Sequence, residues 1–208
     1  MKVLNLYAGI GGNRKLWTDV EVTAVEYKQE IADIYKDFFP NDTVIVTDAH
    51  QYLLEHYKEF DFIWASPPCP SHSRIRKMVA GNGRQNDPIY PDMKLYQEIL
   101  FLQGYFKGKW IIENVISWYE PLIKPFEFGS HYWWSNVHLG SLKTKGRDHN
   151  SKIDKISERK GFNLDKYSGI DKKLILRNCV EPETGLHLLN MVRGIIKSQD
   201  ITQKTIFD

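Results

Sequence analysis

Residues 3–12 read VLNLYAGIGG, an apolar run that leads directly into a glycine turn (residues 7–12). The run is typical of a buried β-strand, and the turn predicts a helix over about residues 13–19. Glycines at such a turn permit positive φ angles and let a ligand approach the backbone closely. The stretch therefore predicts the first strand and helix of an α/β fold, with a ligand site between them. Phosphate and dinucleotide sites share such turns, so the ligand stays open at this point.

Acidic residues follow the next two predicted strands. Residues 21–25 lead to Glu26, and residues 43–47 lead to Asp48. The carboxyl ends of parallel strands meet at one edge of a sheet, where open α/β sheets bind their ligands. We therefore expect both carboxylates beside the glycine turn, where an acid after the second strand commonly receives ribose hydroxyls.

A cysteine follows the fourth predicted strand. Residues 62–70 read FIWASPPCP, and the two prolines must end the strand because proline has no N–H for the ladder and fixes φ. The turn holds Cys69 at the same edge of the sheet, and a thiolate is the most nucleophilic ordinary side chain near neutral pH. A half-buried structural cysteine is the other interpretation of this residue.

Helical patterns alternate with the strands, which favours a mostly parallel sheet covered by helices on both faces. We predict helices at about residues 28–39, 49–58, 92–107 and 184–197. A fifth strand is expected at residues 109–112, directly before Glu113-Asn114-Val115. The class of fold predicted from these patterns is α/β.

With Glu113-Asn114-Val115, the chain resembles the DNA cytosine-5 methyltransferase family. The resemblance covers about residues 1–120, and it is weaker at residues 177–180 and in the closing helix. The matching motifs follow the family's order and are residues 6–12, Glu26, Asp48, residues 67–69 and residues 113–115. The resemblance implies a Rossmann-like sandwich of the S-adenosylmethionine-dependent methyltransferases, with a mostly parallel sheet, antiparallel strands within residues 120–139 and a small basic insertion.

The resemblance implies that Cys69 and Glu113 are catalytic. Cys69 is similar to the family's nucleophile, which adds to carbon 6 of cytosine and thereby activates carbon 5. Glu113 matches the acid that protonates or hydrogen-bonds ring nitrogen 3, and Asn114 would hold the turn at the strand end. The methyl group would come from S-adenosyl-L-methionine, and the target base must leave the DNA duplex to reach the thiolate.

A binding site for S-adenosyl-L-methionine is implied in the same way. The glycine turn would lie under the methionine part, Glu26 would receive the ribose, and Asp48 would receive the adenine amine. Tyr27 would stack on the adenine, or it is a half-buried aromatic at a strand end. The implied cofactor-binding set is Tyr7, Ala8, Gly9, Gly11, Gly12, Glu26, Tyr27, Asp48, Ala49 and Pro67.

The chain departs from the family's pattern in two places. After the cysteine the family usually has glutamine, an aromatic and serine, whereas this chain has Pro70-Ser71-His72-Ser73. Ser73 fits the serine position. The family's Gln-x-Arg-x-Arg motif, in which one arginine helps to hold the base, is missing after Glu113-Asn114-Val115. Arg74, Arg76 and His131 are the candidates for the missing donor, and a polar group at a strand end is the other interpretation of His131.

Basic residues are concentrated in two regions. The loop at residues 71–91 has no apolar periodicity. In the resembling family this loop closes over flipped DNA. The alternative interpretation is a solvated surface loop. Residues 143–177 carry eleven Lys or Arg against five Asp or Glu, which suggests a nucleic-acid surface, or else a solubilising linker. The candidates for DNA contact are Ser73, Arg74, Arg76, Arg84, Asn114, Lys143, Lys145 and Arg147.

These patterns predict a catalytic and cofactor-binding domain at residues 1–140, a target-recognition segment at 141–177, and a C-terminal helix within 178–208 that packs back on the first domain. No apolar run is long enough for a membrane span, no secretory leader precedes the first strand, and two cysteines without metal spacing favour a reducing cytosol. We therefore expect a cytoplasmic monomer without a metal, acting on duplex DNA in a bacterial cell or phage-infected host. The alternatives are the same chemistry on RNA, single-stranded DNA or a free pyrimidine nucleotide, and a non-catalytic binding module.

Overall fold

The computed structural model describes residues 1–74, 89–140 and 152–195. The strands in these residues are β1 (Lys2–Leu6), β2 (Glu21–Glu26), β3 (Thr43–Val46), β4 (Phe62–Ala65), β5 (Lys109–Val115), β6 (Phe126–Phe128) and β7 (His131–Ser135). They form one sheet in the order β3-β2-β1-β4-β5-β7-β6. The first five strands run parallel, whereas β7 is antiparallel to both of its neighbours, β5 and β6. The predicted α/β class, with a mostly parallel sheet, is confirmed.

The α-helices of the described residues are α1 (Gln29–Phe38), α2 (Ala49–His56), α3 (Lys94–Tyr105), α4 (Ile153–Lys160), α5 (Lys172–Asn178) and α6 (Pro182–Val192). The helices predicted near residues 28–39, 49–58 and 92–107 are therefore confirmed. The closing helix is shorter than predicted, and residues after 195 lie outside the described part. Within the described ranges, none of the helices has both the length and the apolar character that crossing a membrane requires.

Alternating side chains of the strands fill two separate cores. Leu4 and Leu6 of β1 face α2 and α3, together with Ile63 of β4. Val3 and Trp64 face the opposite side, where Leu188 and Leu189 of α6 pack against them. The sheet therefore has helices on both faces, as predicted from the alternation of strands and helical patterns along the chain.

The aromatic run in β7 belongs to these cores. Trp133 packs on the α6 side of the sheet and Trp134 on the α2 and α3 side, and each is buried. Their indole N–H groups donate to the carbonyls of Phe128 and Ile123. These rings are core residues, so they do not form a platform for base stacking.

The helix predicted at residues 13–19 is wrong, because this segment consists of successive turns. Its side chains bind partners that are distant in the sequence. The Asn13 and Asn5 amides bond to each other, Arg14 pairs with Asp42, and the Trp17 indole donates to the Gly185 carbonyl. These contacts hold the segment flat against α6 and override the local helical preference.

The basic segment packs against the glycine-turn side of the molecule. Phe162, between α4 and α5, forms an apolar cluster with Ile10 of the glycine turn and Ile34 of α1. The ring of Phe162 also meets Phe38 edge-on at 4.9 Å between centroids. The described part of the segment at residues 152–177 therefore braces α1 and the glycine turn.

We expect Gly185→Ala to destabilise the protein by about 1–3 kcal/mol, the usual effect of overpacking a close contact. A Cβ at this position of α6 would lie 2.1 Å from the carbonyl oxygen of Asn13. Urea denaturation measures the free energy of unfolding. The matched control is Gly104→Ala in α3, where a Cβ meets nothing within 4 Å. That change should stabilise the protein by about 0.5–1 kcal/mol, so equal effects of the two variants would contradict the close contact.

Candidate active site

Five neighbouring parallel strands bring the predicted site residues to one edge of the sheet. Along this edge lie Asp48 after β3, Glu26 at the end of β2, the glycine turn after β1, Cys69 after β4, and Glu113 near the end of β5. The predicted cofactor residues thus lie at or after the ends of β1, β2, β3 and, with Pro67, β4, and the predicted catalytic residues lie after β4 and in β5. Ligands of open α/β sheets bind at this edge.

The glycine turn is joined to β2 through Glu26. Tyr7 and Gly9 both have positive φ angles, 56° and 54°. The Gly9 N–H donates to Glu26 Oε2 at 3.0 Å, and Glu26 Oε1 accepts from the N–H groups of Tyr27 and Lys28. Three backbone donors therefore fix the orientation of this carboxylate before any ligand binds.

The three glycines of the turn have different roles. A Cβ on Gly11 would lie 2.3 Å from the Phe39 ring, and one on Gly12 would lie 2.5 Å from the Val180 carbonyl oxygen. A Cβ on Gly9 would meet nothing within 4 Å. Gly11 and Gly12 thus allow the turn to pack against the protein, whereas Gly9 leaves open space in which a ligand could approach the backbone.

Tyr27 differs from the half-buried aromatic that was one of its two interpretations. Its side chain is 74% exposed at the tip of β2, next to Glu26. Ala8 and Ala49 are buried, as is Pro67, so their side chains help to shape the wall of the edge. The exposed ring of Tyr27 is available for stacking on a flat ligand.

Asp48 has a second role that the sequence did not predict. It is the N-cap of α2, where Oδ1 accepts the Gln51 N–H at 2.9 Å. Oδ2 lies 3.4 Å from Lys94 Nζ in α3. The Gln51 N–H, followed by the Lys94 ammonium, holds the pKa of this carboxyl below its usual value. Asp48 is therefore a hydrogen-bond acceptor at neutral pH, as binding of an adenine amine requires.

These features fit S-adenosylmethionine. The open face of Gly9 gives room beside the backbone, and Glu26 and Asp48 offer acceptors for hydroxyl and amine donors. The exposed ring of Tyr27 lies at the same end of β2. The two carboxylates lie at the ends of the adjacent strands β2 and β3.

A buried acid behind the glycine turn was not predicted. Glu98 of α3 is fully buried, and its Oε1 accepts from the Tyr7 hydroxyl and lies 3.0 Å from His50 Nδ1. Burial, with Glu98 next in effect, raises the pKa of Tyr7 far above its ordinary value. The hydroxyl therefore stays protonated and ties the strained Tyr7 backbone to α3. Glu98 lies in a helical pattern without a motif, so the sequence carried no signal for it.

The turn that carries Cys69 is cross-linked to the end of β5. The Cys69 carbonyl accepts the N–H groups of His72 and Ser73, which closes a tight turn. The Asn114 side-chain amide donates to the Pro67 carbonyl at 3.0 Å. The Trp118 backbone N–H donates to the His72 carbonyl, also at 3.0 Å. The Cys69 turn is therefore held by β5 and by the residues that follow it.

His72 replaces the family's aromatic within this turn and is buried. Its Nδ1 lies 2.6 Å from the Tyr119 hydroxyl, and burial lowers the pKa of the ring. His72 Nε2 has no hydrogen-bond partner among residues 1–74, 89–140 and 152–195. A neutral His72 thus fills the core under Cys69.

Two of the candidates for DNA contact also bind the segment after β5, through Ser117. Ser73 pairs with Ser117 in an isolated antiparallel bridge, and Arg74 Nε donates to the Ser117 carbonyl at 2.9 Å. Arg74 is exposed, whereas Ser73 is half-buried. Both residues therefore bind the segment that follows β5.

Glu113 is 9% exposed in β5, and its Oε1 lies 3.2 Å from His131 Nε2. His131 was one of three candidates for the missing donor, and the structure brings it to the predicted acid. It is also the first residue of β7, so the interpretation as a polar group at a strand end is correct as well.

The second cysteine has a different environment. Burial raises the pKa of the Cys179 thiol to about 11, and the thiol donates to the Ile175 carbonyl. Its backbone carbonyl accepts from the buried ammonium of Lys160. Cys179 is thus a protonated packing residue.

Several candidates for DNA contact lie outside the described residues, namely Arg76, Arg84, Lys143, Lys145 and Arg147. In the described part of the basic segment, the charges of two lysines are already paired with carboxylates. Lys160 is buried beside Glu181, and Lys166 pairs with Asp37 at 2.9 Å. A cavity of about 410 Å³ between α4 and α5 includes Asp154, Glu158 and Asp165 in its lining, and this acidic lining does not suit phosphates.

A family model agrees with this arrangement of motifs. The model of the C-5 cytosine-specific DNA methylases matches residues 1–116, more than half of the chain. Curated protein sequences give no match.

Three solved structures are similar to part of the chain. The chain is similar to a mutant of DNMT2 from Spodoptera frugiperda, with 28% identity, a TM-score of 0.38, and coverage of 55% of this chain and 35% of that one. A putative DNA modification methyltransferase from an E. coli prophage has 19% identity and a TM-score of 0.38, covering 58% and 33%. EhMeth from Entamoeba histolytica has 15% identity and a TM-score of 0.37, covering 55% and 38%. The chain spans about a third of the length of these proteins.

We expect the stabilising effect of the His50–Glu98 contact to depend on pH. The hydrogen bond to Glu98 is the largest cause of a raised pKa of His50. The contribution is therefore fully present below the ordinary histidine pKa of about 6.5, and it is lost as the pH rises through the raised folded-state value. Urea denaturation should show that His50→Gln lowers the free energy of unfolding more at a pH of about 5.5 than at about 9.

The exposed His138 gives the control for this measurement, as His138→Gln removes a histidine that does not contact Glu98. A loss of stability in His50→Gln that stays constant across the pH range would contradict the assigned contact.

Proposed function

Because the chain belongs to the family of C-5 cytosine-specific DNA methylases, we propose that it methylates carbon 5 of cytosine in duplex DNA. The observation that carries the proposal is the cross-link between the Cys69 turn and β5 through Asn114. It holds a thiol and a buried acid on adjacent parallel strands. The methyl donor of this family is S-adenosylmethionine, which supplies an electrophilic methyl group when bound.

Cys69 begins the reaction as the nucleophile. Its thiolate sulfur forms a bond to carbon 6 of the cytosine, and the electron pair of the carbon 5–carbon 6 double bond shifts into the ring. Carbon 5 then carries the electron density that attacks the methyl group. Transfer of the carbon 5 proton to a water molecule restores the double bond and expels the Cys69 thiolate, so the enzyme ends as it began.

Glu113 supplies the proton that makes the addition possible. As sulfur adds at carbon 6, Glu113 protonates ring nitrogen 3, so that no full negative charge develops on the ring. The proton returns to Glu113 when the sulfur leaves. Burial of Glu113 in β5 supports this role, since a dry site strengthens its hydrogen bond to the base.

The cofactor is held by residues of β1, β2 and β3. Glu26 receives the ribose hydroxyls, Asp48 receives the adenine amine, and Tyr27 stacks on the adenine. Gly9 gives the methionine part its place beside the backbone. The fixed carboxylate of Glu26 supports this assignment, because a preorganised acceptor loses little entropy on binding.

Duplex DNA approaches the catalytic end of this edge, and the target cytosine leaves the stack to reach Cys69. Ser73 and Arg74 follow Cys69 in the chain and contact the DNA there. Arg76, Arg84, Lys143, Lys145 and Arg147, which the structure does not describe, contribute phosphate contacts in this proposal. Phosphate contacts position the protein on DNA without reading its sequence.

We expect DNA with 5-fluorocytosine at the target to trap the wild-type protein covalently, because fluorine cannot leave as the proton does. Cys69→Ser should give no adduct, and Cys179→Ser should be trapped like the wild type. Denaturing gel electrophoresis with labelled duplex DNA, single-stranded DNA, RNA and dCMP measures the adduct. Trapping on RNA, single-stranded DNA or dCMP but not on duplex DNA would replace the proposed substrate. No trapping on any of them would contradict the chemistry.

We expect Glu26→Ala to weaken the binding of S-adenosylmethionine by about 1.5–3 kcal/mol, the scale of a hydrogen bond to a charged group. Calorimetric titration measures the affinity. The matched control is Glu30→Ala. It removes an exposed carboxylate close to Glu26 in the sequence, in the first turn of α1. Unchanged affinity in Glu26→Ala would contradict the proposed ribose site.

A further inference from the structure

His131 reaches Glu113 because of how β6 and β7 are joined. Gly129 and Ser130 have φ angles of 62° and 64° and form the two-residue turn of this hairpin. His131 is therefore the first residue of β7, and it pairs with Val115 of β5. Side chains alternate along a strand, so Glu113 and His131 lie on the same face of the sheet, one diagonal step apart.

The hydrogen bonds of His131 determine where its ring protons lie. Nδ1 is 3.0 Å from the Gly129 carbonyl oxygen, which can only accept, so Nδ1 carries a proton. Nε2 lies 3.2 Å from Glu113 Oε1. A lone pair on Nε2 would face a lone pair on the carboxylate, and the two would repel. One proton must therefore lie between Glu113 and His131, on either the acid or the imidazole.

The surroundings keep this pair in place. The Glu113 and His131 side chains are 11% and 18% exposed, so the proton between them is shielded from water. The Trp133 ring lies edge-on to His131 at 6.1 Å between centroids, and Phe128 stacks on Trp133 at 4.8 Å. The imidazole is thus held by the hairpin turn on one side and by packed rings on another.

The other candidates for the missing donor have different contacts. Arg74 donates through Nε to the Ser117 carbonyl, and Arg76 lies outside the described residues. His131 is the candidate that the described structure brings to the carboxylate of Glu113.

We propose that His131 is a positioning residue that keeps a proton on the Glu113 side chain ready for ring nitrogen 3 of the cytosine. This inference rests on the proposed function of Cys69 and Glu113. When sulfur bonds to carbon 6, the shared proton passes from Glu113 to nitrogen 3, and Nδ1 of His131 keeps its own proton, which stays hydrogen-bonded to the Gly129 carbonyl. When the sulfur leaves, the proton returns from nitrogen 3 to the pair.

A kinetic experiment tests the effect of His131 on the addition step. Rapid quenching measures the rate at which the full chain forms an adduct with duplex DNA containing 5-fluorocytosine, in the presence of S-adenosylmethionine. His131→Ala should slow this rate by about 10²-fold or more, in the range of a lost acid–base group. Its affinity for S-adenosylmethionine should stay at the wild-type value, and added imidazole should restore part of the rate. His138→Ala, which removes an exposed histidine shortly after β7, should react like the wild type.

Two kinetic outcomes would overturn the inference. One is a wild-type rate in His131→Ala. The other is a slow variant that imidazole does not restore, since packing alone would then explain the loss. In both cases the trapping of the wild-type protein would show that the proposed function itself still holds.

Nuclear magnetic resonance of ¹⁵N-labelled histidine tests the shared proton without any reaction. The wild-type spectrum should show a protonated Nδ1 in His131 and an Nε2 that is protonated or strongly hydrogen-bonded. In Glu113→Gln, which lacks the shared proton, the Nε2 resonance should move from its wild-type position. The shared proton would be refuted by an unprotonated Nδ1, or by an Nε2 resonance at the same position in Glu113→Gln and in the wild type. This test stands even if the wild-type protein forms no adduct with any nucleic acid.

Discussion

The hydrogen bond from Asn114 to the Pro67 carbonyl is the contact on which the proposed chemistry depends. The ladder between β4 and β5 ends where the prolines begin, because proline has no N–H to donate. The buried Asn114 amide continues the connection beyond that point, and its Oδ1 accepts from the Val115 N–H of its own strand. Hydrogen bonds between two elements, rather than a free loop, therefore position Cys69 relative to Glu113.

The cofactor end of the edge is organised by the same principle. Glu26 is oriented by three backbone N–H groups, and Asp48 is oriented by the start of α2 and by Lys94. Tyr7 is tied through its hydroxyl to the buried Glu98. Glu26, Asp48 and Tyr7 are thus each held by another group in the protein. Such preorganisation lowers the entropy lost when a ligand binds.

The C-terminal part of the chain supports the first part over a long sequence separation. Gly185 of α6 lies against the backbone of Asn13, and the Val180 carbonyl lies against Gly12. Phe162 adds an apolar contact to the other side of the glycine turn. The basic segment and the last helix thus act as braces for the cofactor end, and the contact with Val180 explains why Gly12 has no room for a side chain.

The sequence by itself determined the strands, the parallel sheet and the order of Glu26, Asp48, Cys69 and Glu113 along one edge. These features follow from local rules, since apolar runs, prolines and strand ends act within a few residues. The tertiary structure decided that residues 13–19 form turns and that Glu98 and His131 belong to the site. Their contacts depend on strand register and on packing between distant segments, which short patterns do not encode. The sequence thus determines which side chains end the strands, and the packed fold determines which of them touch.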